Sequence, residues 1–307
     1  MNNMKKINVR EFVWGRLRGV VGRIIPERTK LYKFLYLNAV KFQSTKRNRR
    51  QNSLTFQAHI MDSCNLNCAG CNNFSTLCEN GFVDVEVFEK DINRISQLSG
   101  GKINKLLLTG GEPLLHPEII KFIDISRKYF VEGEISLITN GVLLLRQTDE
   151  FWKSCKNNNV KVYITPYPIK LNYEEIAKTV NIYNVVLEYF YEGGKNTFRK
   201  IPLNFMGCGD ILKNFKRCPH SSSCVSLRDG KLYGCQVPAY IDYFDNYFKQ
   251  GFKVSEKDYI DTYDVKTVDE ILDFVCKPIP FCRYCDVDNM EFGIKWKVSK
   301  KEISEWI

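Results

Sequence analysis

The feature that most constrains the fold is an alternation of short, apolar, β-rich runs with amphipathic helical patterns between about residues 52 and 190. The candidate strands are LTFQAHIM (54–61), KLLLT (105–109), EISLIT (134–139), KVYIT (161–165) and NVVLEY (184–189). Helical patterns lie between them at 87–98, 117–129 and 174–183. This alternation predicts βαβ units and a parallel sheet. Five or six such units predict an α/β barrel, or part of one, with the chemistry on loops that follow the strands.

Three cysteines follow the first predicted strand. Cys64, Cys68 and Cys71 have the spacing C-x3-C-x2-C. The chain has 12 cysteines in 307 residues, which is far below the density of a small disulfide scaffold. Three thiolates can hold three irons of a cubane cluster and leave the fourth iron open to another ligand. Zinc is the alternative, with Cys78 or a distant residue as its fourth ligand.

A second motif, LLLTGGEP (106–113), ends the next predicted strand. Gly110 and Gly111 allow a ligand to approach the backbone, since they carry no Cβ, and Glu112 adds a carboxylate. A bare GGE is also explained by turn chemistry. With the cysteine triad before it and TNG (139–141) after the third strand, the order of motifs resembles the radical S-adenosylmethionine superfamily.

This resemblance covers roughly residues 54 to 190 and implies a partial (β/α)6 barrel of the TIM type. It implies a 4Fe–4S cluster on the three cysteines, with the methionine amino and carboxylate groups of S-adenosylmethionine on the open iron. Gly110, Gly111 and Glu112 would hold the amino group, and Asn140 would lie near the ribose. Reductive cleavage would give a 5′-deoxyadenosyl radical that abstracts a hydrogen atom. The sequence departs from the family at Gly70, where an aromatic residue is common, which affects only the expected adenine packing.

A second cysteine set consists of Cys218, Cys235, Cys282 and Cys285. Cys235 follows a predicted hairpin that turns at Asp229-Gly230, and the last two form a C-x2-C pair. The set resembles the auxiliary-cluster extension called SPASM, or its shorter twitch form, which implies a second 4Fe–4S cluster. A structural zinc ribbon, or Cys224 in place of Cys218, is the alternative.

The net charge of +10 comes from an N-terminal arm. Residues 1–50 contain 14 Lys or Arg and two Glu, whereas the rest contains 31 basic and 33 acidic residues. We expect a basic amphipathic helix from Val13 to Ile24, a more evenly apolar one at 31–42, and the basic run KRNRR (46–50). Such an arm could bind an anionic membrane surface. The alternative is that its two helices form a pair that packs under the barrel.

The predicted domains are therefore a basic arm (1–51), a core barrel (52–200) and an auxiliary-cluster domain (201–307). The N-terminus has no uninterrupted apolar stretch of the kind found in a signal peptide, because its one candidate is broken by Arg16, Arg18 and Arg23. We therefore expect a cytoplasmic protein, with peripheral binding at the inner membrane face as a further possibility for the arm. Nucleic acid is not an expected partner, because the basic arm has no dedicated binding motif.

The predicted activity is that of a radical S-adenosylmethionine oxidoreductase acting on a carbohydrate or aminosugar, as a dehydrogenase or epimerase. The expected partners are S-adenosylmethionine, a small-molecule or lipid-linked sugar, and an electron donor of the flavodoxin or ferredoxin type. A peptide-modifying maturase and a non-enzymatic zinc or iron–sulfur protein are the alternatives. Glu188, near the end of what is counted as the sixth strand, is the candidate catalytic residue, with surface placement as its alternative. His59 and His116 are expected to be structural.

Overall fold

The parallel sheet predicted from the sequence is present in the computed structural model, which describes residues 26, 29–43, 53–79, 81–190 and 197–307. The strands are β1 (Thr55–His59), β2 (Lys102–Thr109), β3 (Glu132–Thr139), β4 (Val160–Ile164), β5 (Val186–Tyr189), β6 (Thr197–Lys200), β7 (Ser226–Arg228), β8 (Lys231–Tyr233), β9 (Tyr259–Asp261) and β10 (Glu291–Lys295). The helices are α1 (Lys30–Gln43), α2 (Val85–Ser99), α3 (Ile119–Tyr129), α4 (Asp149–Asn157), α5 (Tyr173–Tyr183), α6 (Ile211–Arg217), α7 (Gln236–Phe248) and α8 (Val268–Val275).

Within the described residues, eight strands form one sheet in the order β5-β4-β3-β2-β1-β7-β8-β9. Strands β1 to β5 pair with each other in parallel, and β7 is parallel to β1. The β7–β8 and β8–β9 pairs are antiparallel. Strands β6 and β10 form a separate two-stranded ribbon. The predicted fold class, a partial α/β barrel, is confirmed. The β7–β8 hairpin extends the sheet beside β1, so the sheet includes chain from both sides of residue 200.

The core lies between the sheet and the helices that connect its strands. Alternate residues of the central strands are fully buried, such as Leu106 and Leu108 on β2 and Ile135 and Leu137 on β3. Their neighbours on the other face, including Leu107 and Ile138, line a cavity. This alternation puts an apolar layer under the helices and leaves the opposite face for polar groups.

Several local predictions can be compared with the structure. The hairpin turn at Asp229-Gly230 is confirmed, and both residues have positive φ. In the sequence, Thr267 and Glu270 have the T-x-x-E spacing that predicts a capping box and a short helix after it, and both are confirmed at the start of α8. The sequence also predicts a helix that begins near Ser299, because Ser299 and Glu302 have the same spacing as Thr267 and Glu270, and this prediction is wrong. Ser299 instead pairs its backbone N–H with Asn67 O at 2.7 Å, and only a short 3₁₀ turn, Ile303–Glu305, follows.

Part of the N-terminal arm packs on the body of the protein. The helix predicted at 31–42 is confirmed as α1, and its Tyr32 and Tyr36 are buried against Phe292. Leu31 and Phe34 on the same helix are exposed. The amphipathic helix predicted from Val13 and the KRNRR run lie outside the described residues. Among the residues that are described, no helix is both long and apolar enough to cross a membrane.

Candidate active site

The end of β2 is joined closely to the chain that precedes Cys64. Gly111 N donates to Met61 O at 2.7 Å, and Glu112 N donates to Ser63 O at 3.0 Å. A Cβ on Gly111 would lie 2.1 Å from Ser63 O, and one on Gly110 would lie 2.5 Å from Met61 O. The two glycines are therefore required for this backbone contact, a structural role that the sequence motif did not reveal.

Glu112 is fixed by three donors and is 1% exposed. One carboxylate oxygen accepts from Leu114 N at 3.1 Å and from Thr139 Oγ1 at 2.7 Å, and the other accepts from Asn140 N at 2.8 Å. Burial raises the pKa of Glu112 to about 7, although these hydrogen bonds oppose the rise. The GGE and TNG motifs are thus one hydrogen-bonded unit across neighbouring strand ends.

The loop that carries Cys64, Cys68 and Cys71, called the cysteine loop below, is held against the GGE and TNG motifs by Asn140. Its side-chain Nδ2 donates to Asn65 Oδ1 at 2.7 Å and lies 3.9 Å from Cys64 Sγ. Burial raises the pKa of Cys64 to about 12, and the nearby Cys71, Glu112 and Cys68 raise it further against a backbone hydrogen bond from Leu66. A positively charged iron centre relieves this unfavourable burial of thiolate charge, because metal binding displaces the thiol proton.

The sulfur atoms of the loop receive N–H donors of the kind that surround iron–sulfur clusters. Leu66 N donates to Cys64 Sγ at 3.5 Å, and the indole Nε1 of Trp296 donates to Cys68 Sγ at 3.1 Å. No motif in the sequence pointed to Trp296, because it is more than 200 residues away from the loop in the chain. Within the described residues, no three His, Cys, Asp or Glu side chains are placed to hold a single metal ion. A cubane, in contrast, binds each thiolate through a different iron.

A cavity of about 200 Å³ opens beside Cys64. It includes Gly110, Gly111, Glu112 and Asn140, the four residues that the sequence predicted as cofactor contacts. The remaining lining residues come from the barrel strands and their ends: Gln57, Asn73, Leu107, Thr109, Ile138, Thr139, Thr165, Tyr167 and Phe190. The described part of this lining is rich in neutral amides and hydroxyls, and it contains no Lys or Arg.

The second cysteine set also converges on one place. Cys218, Cys235, Cys282 and Cys285 line a common small cavity, whereas Cys224 does not line it. Asn214 Nδ2 donates to Cys282 O at 2.9 Å and to Cys285 O at 2.6 Å, which fixes the C-x2-C turn. Cys235 is the N-cap of α7, and Cys218 is the C-cap of α6. Four thiols from three chain segments thus line one cavity.

Burial raises the pKa of each of these four thiols, and in Cys235, Cys282 and Cys285 neighbouring cysteines add to the rise. Four uncharged thiols in one cavity gain little from each other, whereas a cluster would bind all four as thiolates. The donor set therefore fits a fully ligated iron–sulfur cluster. Asn214 was missed by sequence reasoning, because no spacing rule connects it to the cysteines.

Glu188 does not line the cavity. It lies on β5, the fifth parallel strand of the barrel and not the sixth, because the sixth is β7. Lys161 Nζ lies 3.5 Å from its carboxylate and 2.8 Å from that of Glu134, which in turn lies 2.5 Å from Lys105 Nζ. These charged side chains form a chain of ion pairs on the cavity-facing side of the strands, and Glu188 is 42% exposed.

The two histidines predicted to be structural, His116 and His59, differ in their hydrogen bonds. His116 Nε2 lies 3.0 Å from Val83 O, and its Nδ1 accepts from Glu118 N at 3.0 Å, as expected for a structural histidine. His59 is buried against Tyr240, with no hydrogen-bond partner for its ring nitrogens among the described residues. Burial lowers its pKa to about 4, so the ring is neutral near pH 7.

The fold and site define an α/β barrel domain with a cysteine loop after β1 and a glutamate-bearing turn after β2. Residues 59–184 match the family model described as the Radical SAM superfamily. The match covers less than half of the chain, and over that segment it agrees with the resemblance to the radical S-adenosylmethionine superfamily that the motifs predicted. Members of the superfamily bind a 4Fe–4S cluster together with S-adenosylmethionine, and the predicted core cofactor is confirmed at this level.

Similar proteins cover the chain only in part. It is 35% identical over 91 residues to a probable GTP 3′,8-cyclase of Thermoplasma volcanium, and the matched residues make up 30% of this chain and 27% of that enzyme. It is 26% identical over 149 residues to the GTP 3′,8-cyclase of Limosilactobacillus fermentum, and this match covers 48% of this chain and 43% of that enzyme. A crystal structure of BtrN in complex with AdoMet and 2-DOIA is similar with a TM-score of 0.46 at 13% identity, covering 75% of this chain and 92% of that one. The chain thus spans less than half the length of these two cyclases.

Proposed function

We propose that this protein cleaves S-adenosylmethionine reductively at a cluster held by Cys64, Cys68 and Cys71. The observation that carries the proposal is the contact between the three motifs. Glu112 is fixed by Thr139 and Asn140, and Asn140 in turn reaches the cysteine loop, all at one cavity. When bound, the cluster and S-adenosylmethionine supply a 5′-deoxyadenosyl radical that removes a hydrogen atom from the substrate.

The protein positions the cofactor through groups at the strand ends. The buried carboxylate of Glu112 offers negative charge to the methionine amino group, and Asn140 lies at the same rim for the ribose. Gly110 and Gly111 keep the GGE turn in contact with the cysteine loop, so cofactor and cluster ligands share one rigid edge. The sheet encloses the cavity and limits access of water to a reactive carbon radical.

Replacing Glu112 with Gln tests this positioning. An amide has only one acceptor oxygen, so it cannot accept from all three donors, and its NH₂ group would face an N–H or a hydroxyl. Leaving a buried donor unpaired costs about 1–3 kcal/mol. We expect weaker S-adenosylmethionine binding and less 5′-deoxyadenosine, with iron content retained. Glu174→Gln is the matched control, since Glu174 is exposed on α5. Equal activity of the two variants would contradict the assignment.

The second cysteine set is proposed to hold an auxiliary 4Fe–4S cluster through Cys218, Cys235, Cys282 and Cys285. All four protein ligands are present, so no iron is left open, which suits electron transfer more than substrate binding. Cys235 at the N-terminus of α7 also places one thiolate where the helix dipole favours negative charge. On this basis residues 201–307 act as an auxiliary-cluster domain beside the core barrel at 52–200.

The proposed substrate is a carbohydrate or aminosugar, oxidised at a secondary alcohol or epimerised. The neutral amide and hydroxyl groups of the cavity, including Gln57, Asn73 and Thr165, suit a polyhydroxylated ligand. An auxiliary cluster could accept the second electron of an alcohol oxidation. Anaerobic turnover with candidate sugars in deuterated and plain forms tests this. Deuterium in 5′-deoxyadenosine would identify the substrate class and the abstracted hydrogen, and absence of transfer from any sugar would contradict it.

A cyclisation of GTP is the second candidate, because the matched relatives bear that name. Among the described residues that line the cavity there is no Lys or Arg to bind a triphosphate, although Lys105 and Lys161 lie on the same side of the strands. The same anaerobic assay with GTP as substrate distinguishes the two candidates, since only a cyclase would transfer hydrogen from the GTP ribose.

A further inference from the structure

The C-terminal segment at residues 296–299 covers the outer side of the cysteine loop. Ala69 N donates to Lys297 O at 3.0 Å, and Ser299 N donates to Asn67 O at 2.7 Å. The same segment brings the Trp296 indole to Cys68 Sγ at 3.1 Å. Its side chains therefore form the protein surface next to a proposed cluster ligand, on a part of the loop that the substrate cavity does not include.

This segment carries a cluster of positive charges, which we call the lysine surface: Lys295, Lys297, Lys300 and Lys301. All four are exposed, and among the described residues none of them forms an ion pair. Two of the three carboxylates nearby are already engaged, and the third, the exposed Glu302, does not offset four lysines. Glu291 pairs with Lys200 at 2.7 Å, and Glu305 accepts from Ser299 Oγ and from Lys300 N. The field of this surface is therefore positive.

A second cavity lies between the lysine surface and the cysteine loop. Its volume is about 140 Å³, and it extends to Ala69 and Gly70. Basic residues of two adjacent strands and the segment after them line it: Arg199, Lys200, Lys295 and Lys297. Val298, which is 56% exposed, adds an apolar side chain next to Lys297 in the chain. Glu291 and Glu305 line the cavity as well, so its lining is mixed in charge, with basic residues in excess.

We propose that the lysine surface is the docking site of an acidic one-electron donor protein of the flavodoxin or ferredoxin class. The inference rests on the proposed cluster at Cys64, Cys68 and Cys71. One electron leaves the reduced donor and enters the oxidised cluster, with no transfer of a proton or of any other group. Docking at this surface places the donor next to Trp296, whose indole is in direct contact with a cluster ligand. Positive charge here increases the rate of encounter with an acidic partner.

The test measures the rate of cluster reduction in the reconstituted full chain by rapid-mixing absorbance. The reductants are a reduced flavodoxin, which is acidic, and photoreduced 5-deazariboflavin, which is small and uncharged. The variant is Lys297→Glu/Lys300→Glu. Its control is Lys153→Glu/Lys156→Glu, which changes two exposed lysines of α4 at the same spacing and gives the same net charge.

We expect reduction by flavodoxin to be at least about tenfold slower in the Lys297/Lys300 variant than in the control at low ionic strength. The difference should disappear at high salt, because salt screens exposed charges. Iron content and the rate with deazariboflavin should be equal in the two variants. The neutral variant Lys297→Gln/Lys300→Gln should fall between wild type and the charge-reversed form.

Equal flavodoxin rates in the two charge-reversed variants would overturn the proposal. So would an equal loss with both reductants, since that result means the substitutions act on the cluster and not on docking. Unchanged reduction with a lower product yield would also overturn it and assign the surface to the substrate. A wild-type protein that binds no iron at Cys64, Cys68 and Cys71 would instead reject the proposed function itself, so the two failures are distinguishable.

Discussion

The contact between Gly111 and Ser63 gives the most quantitative prediction about the site. An alanine Cβ at position 111 would lie 2.1 Å from Ser63 O, which is about 1.3 Å short of the closest ordinary contact of 3.4 Å. The backbone φ at this position is not in the left-handed region, so the effect of Gly111→Ala comes from the steric clash alone. The cysteine loop and the end of β2 must then separate by about an ångström.

That separation breaks two backbone hydrogen bonds, Gly111 N to Met61 O and Glu112 N to Ser63 O. Each is worth about 1 kcal/mol, and the overpacking itself costs about 1–3 kcal/mol. We therefore expect Gly111→Ala to lower the free energy of unfolding by about 3–5 kcal/mol. The variant should also bind less iron at the first site, because the loop that carries Cys64 is displaced.

The assay is chemical denaturation together with iron analysis after anaerobic reconstitution. Gly100→Ala is the matched control, because Gly100 has positive φ but a Cβ there meets nothing within 4 Å. That control should lose only about 1–2 kcal/mol from the left-handed backbone and keep its iron. If Gly111→Ala keeps full iron and loses no more stability than the control, the proposed role of the glycine contact is wrong.

Three further predictions follow from the described residues. Cys282→Ser/Cys285→Ser should remove about four irons per chain and abolish product formation while S-adenosylmethionine cleavage continues; zinc in place of that iron would instead leave a structural role for the second site. Burial would raise the pKa of Glu134, but hydrogen bonds from Lys105, Lys161 and Ser136 outweigh it and lower the pKa to about 2. A carboxyl group with a lowered pKa stabilises the folded state above about pH 4.5, and this contribution is lost as the pH falls toward 2. At pH 7 we expect Glu134→Gln to be less stable than wild type by about 1–2 kcal/mol after solvent screening. Denaturation curves should show this difference shrink between about pH 4.5 and pH 2. Finally, if the basic arm at 1–51 binds an anionic membrane, full-length protein should sediment with anionic liposomes more than a form that starts at Gln51, whereas equal sedimentation, or a truncated form that cannot fold, would favour packing of the arm on the protein.

The sequence predicted the barrel strands well because each is a short apolar run with a clear boundary. It missed α4, whose buried residues Phe151, Trp152 and Cys155 are too few to show a helical period. The position of β7 beside β1 was also beyond prediction, since strand order depends on long-range pairing and not on local pattern. At Ser299 the local capping signal was overridden, because Lys301 has a left-handed φ of 57° that a helix cannot include.

The residues of the candidate site were also predictable only in part. Motif order located the cysteine loop, Glu112 and Asn140, and the structure brings them to one cavity. The motif did not show that Gly110 and Gly111 serve a backbone contact, because that contact requires the three-dimensional position of Ser63 and Met61. Trp296 and Asn214 carry no motif, and only the fold places them beside cysteines.

The central claim is reductive cleavage of S-adenosylmethionine at Cys64, Cys68 and Cys71. The most direct measurement is the yield of 5′-deoxyadenosine from anaerobically reconstituted protein, for wild type and for a variant with all three cysteines changed to Ala. A control variant, Cys155→Ala, changes a buried cysteine of α4 that belongs to neither set. We predict that the triple variant forms no 5′-deoxyadenosine yet keeps the iron of the second site, whereas wild type and the control cleave S-adenosylmethionine. Undiminished cleavage by the triple variant would contradict the account.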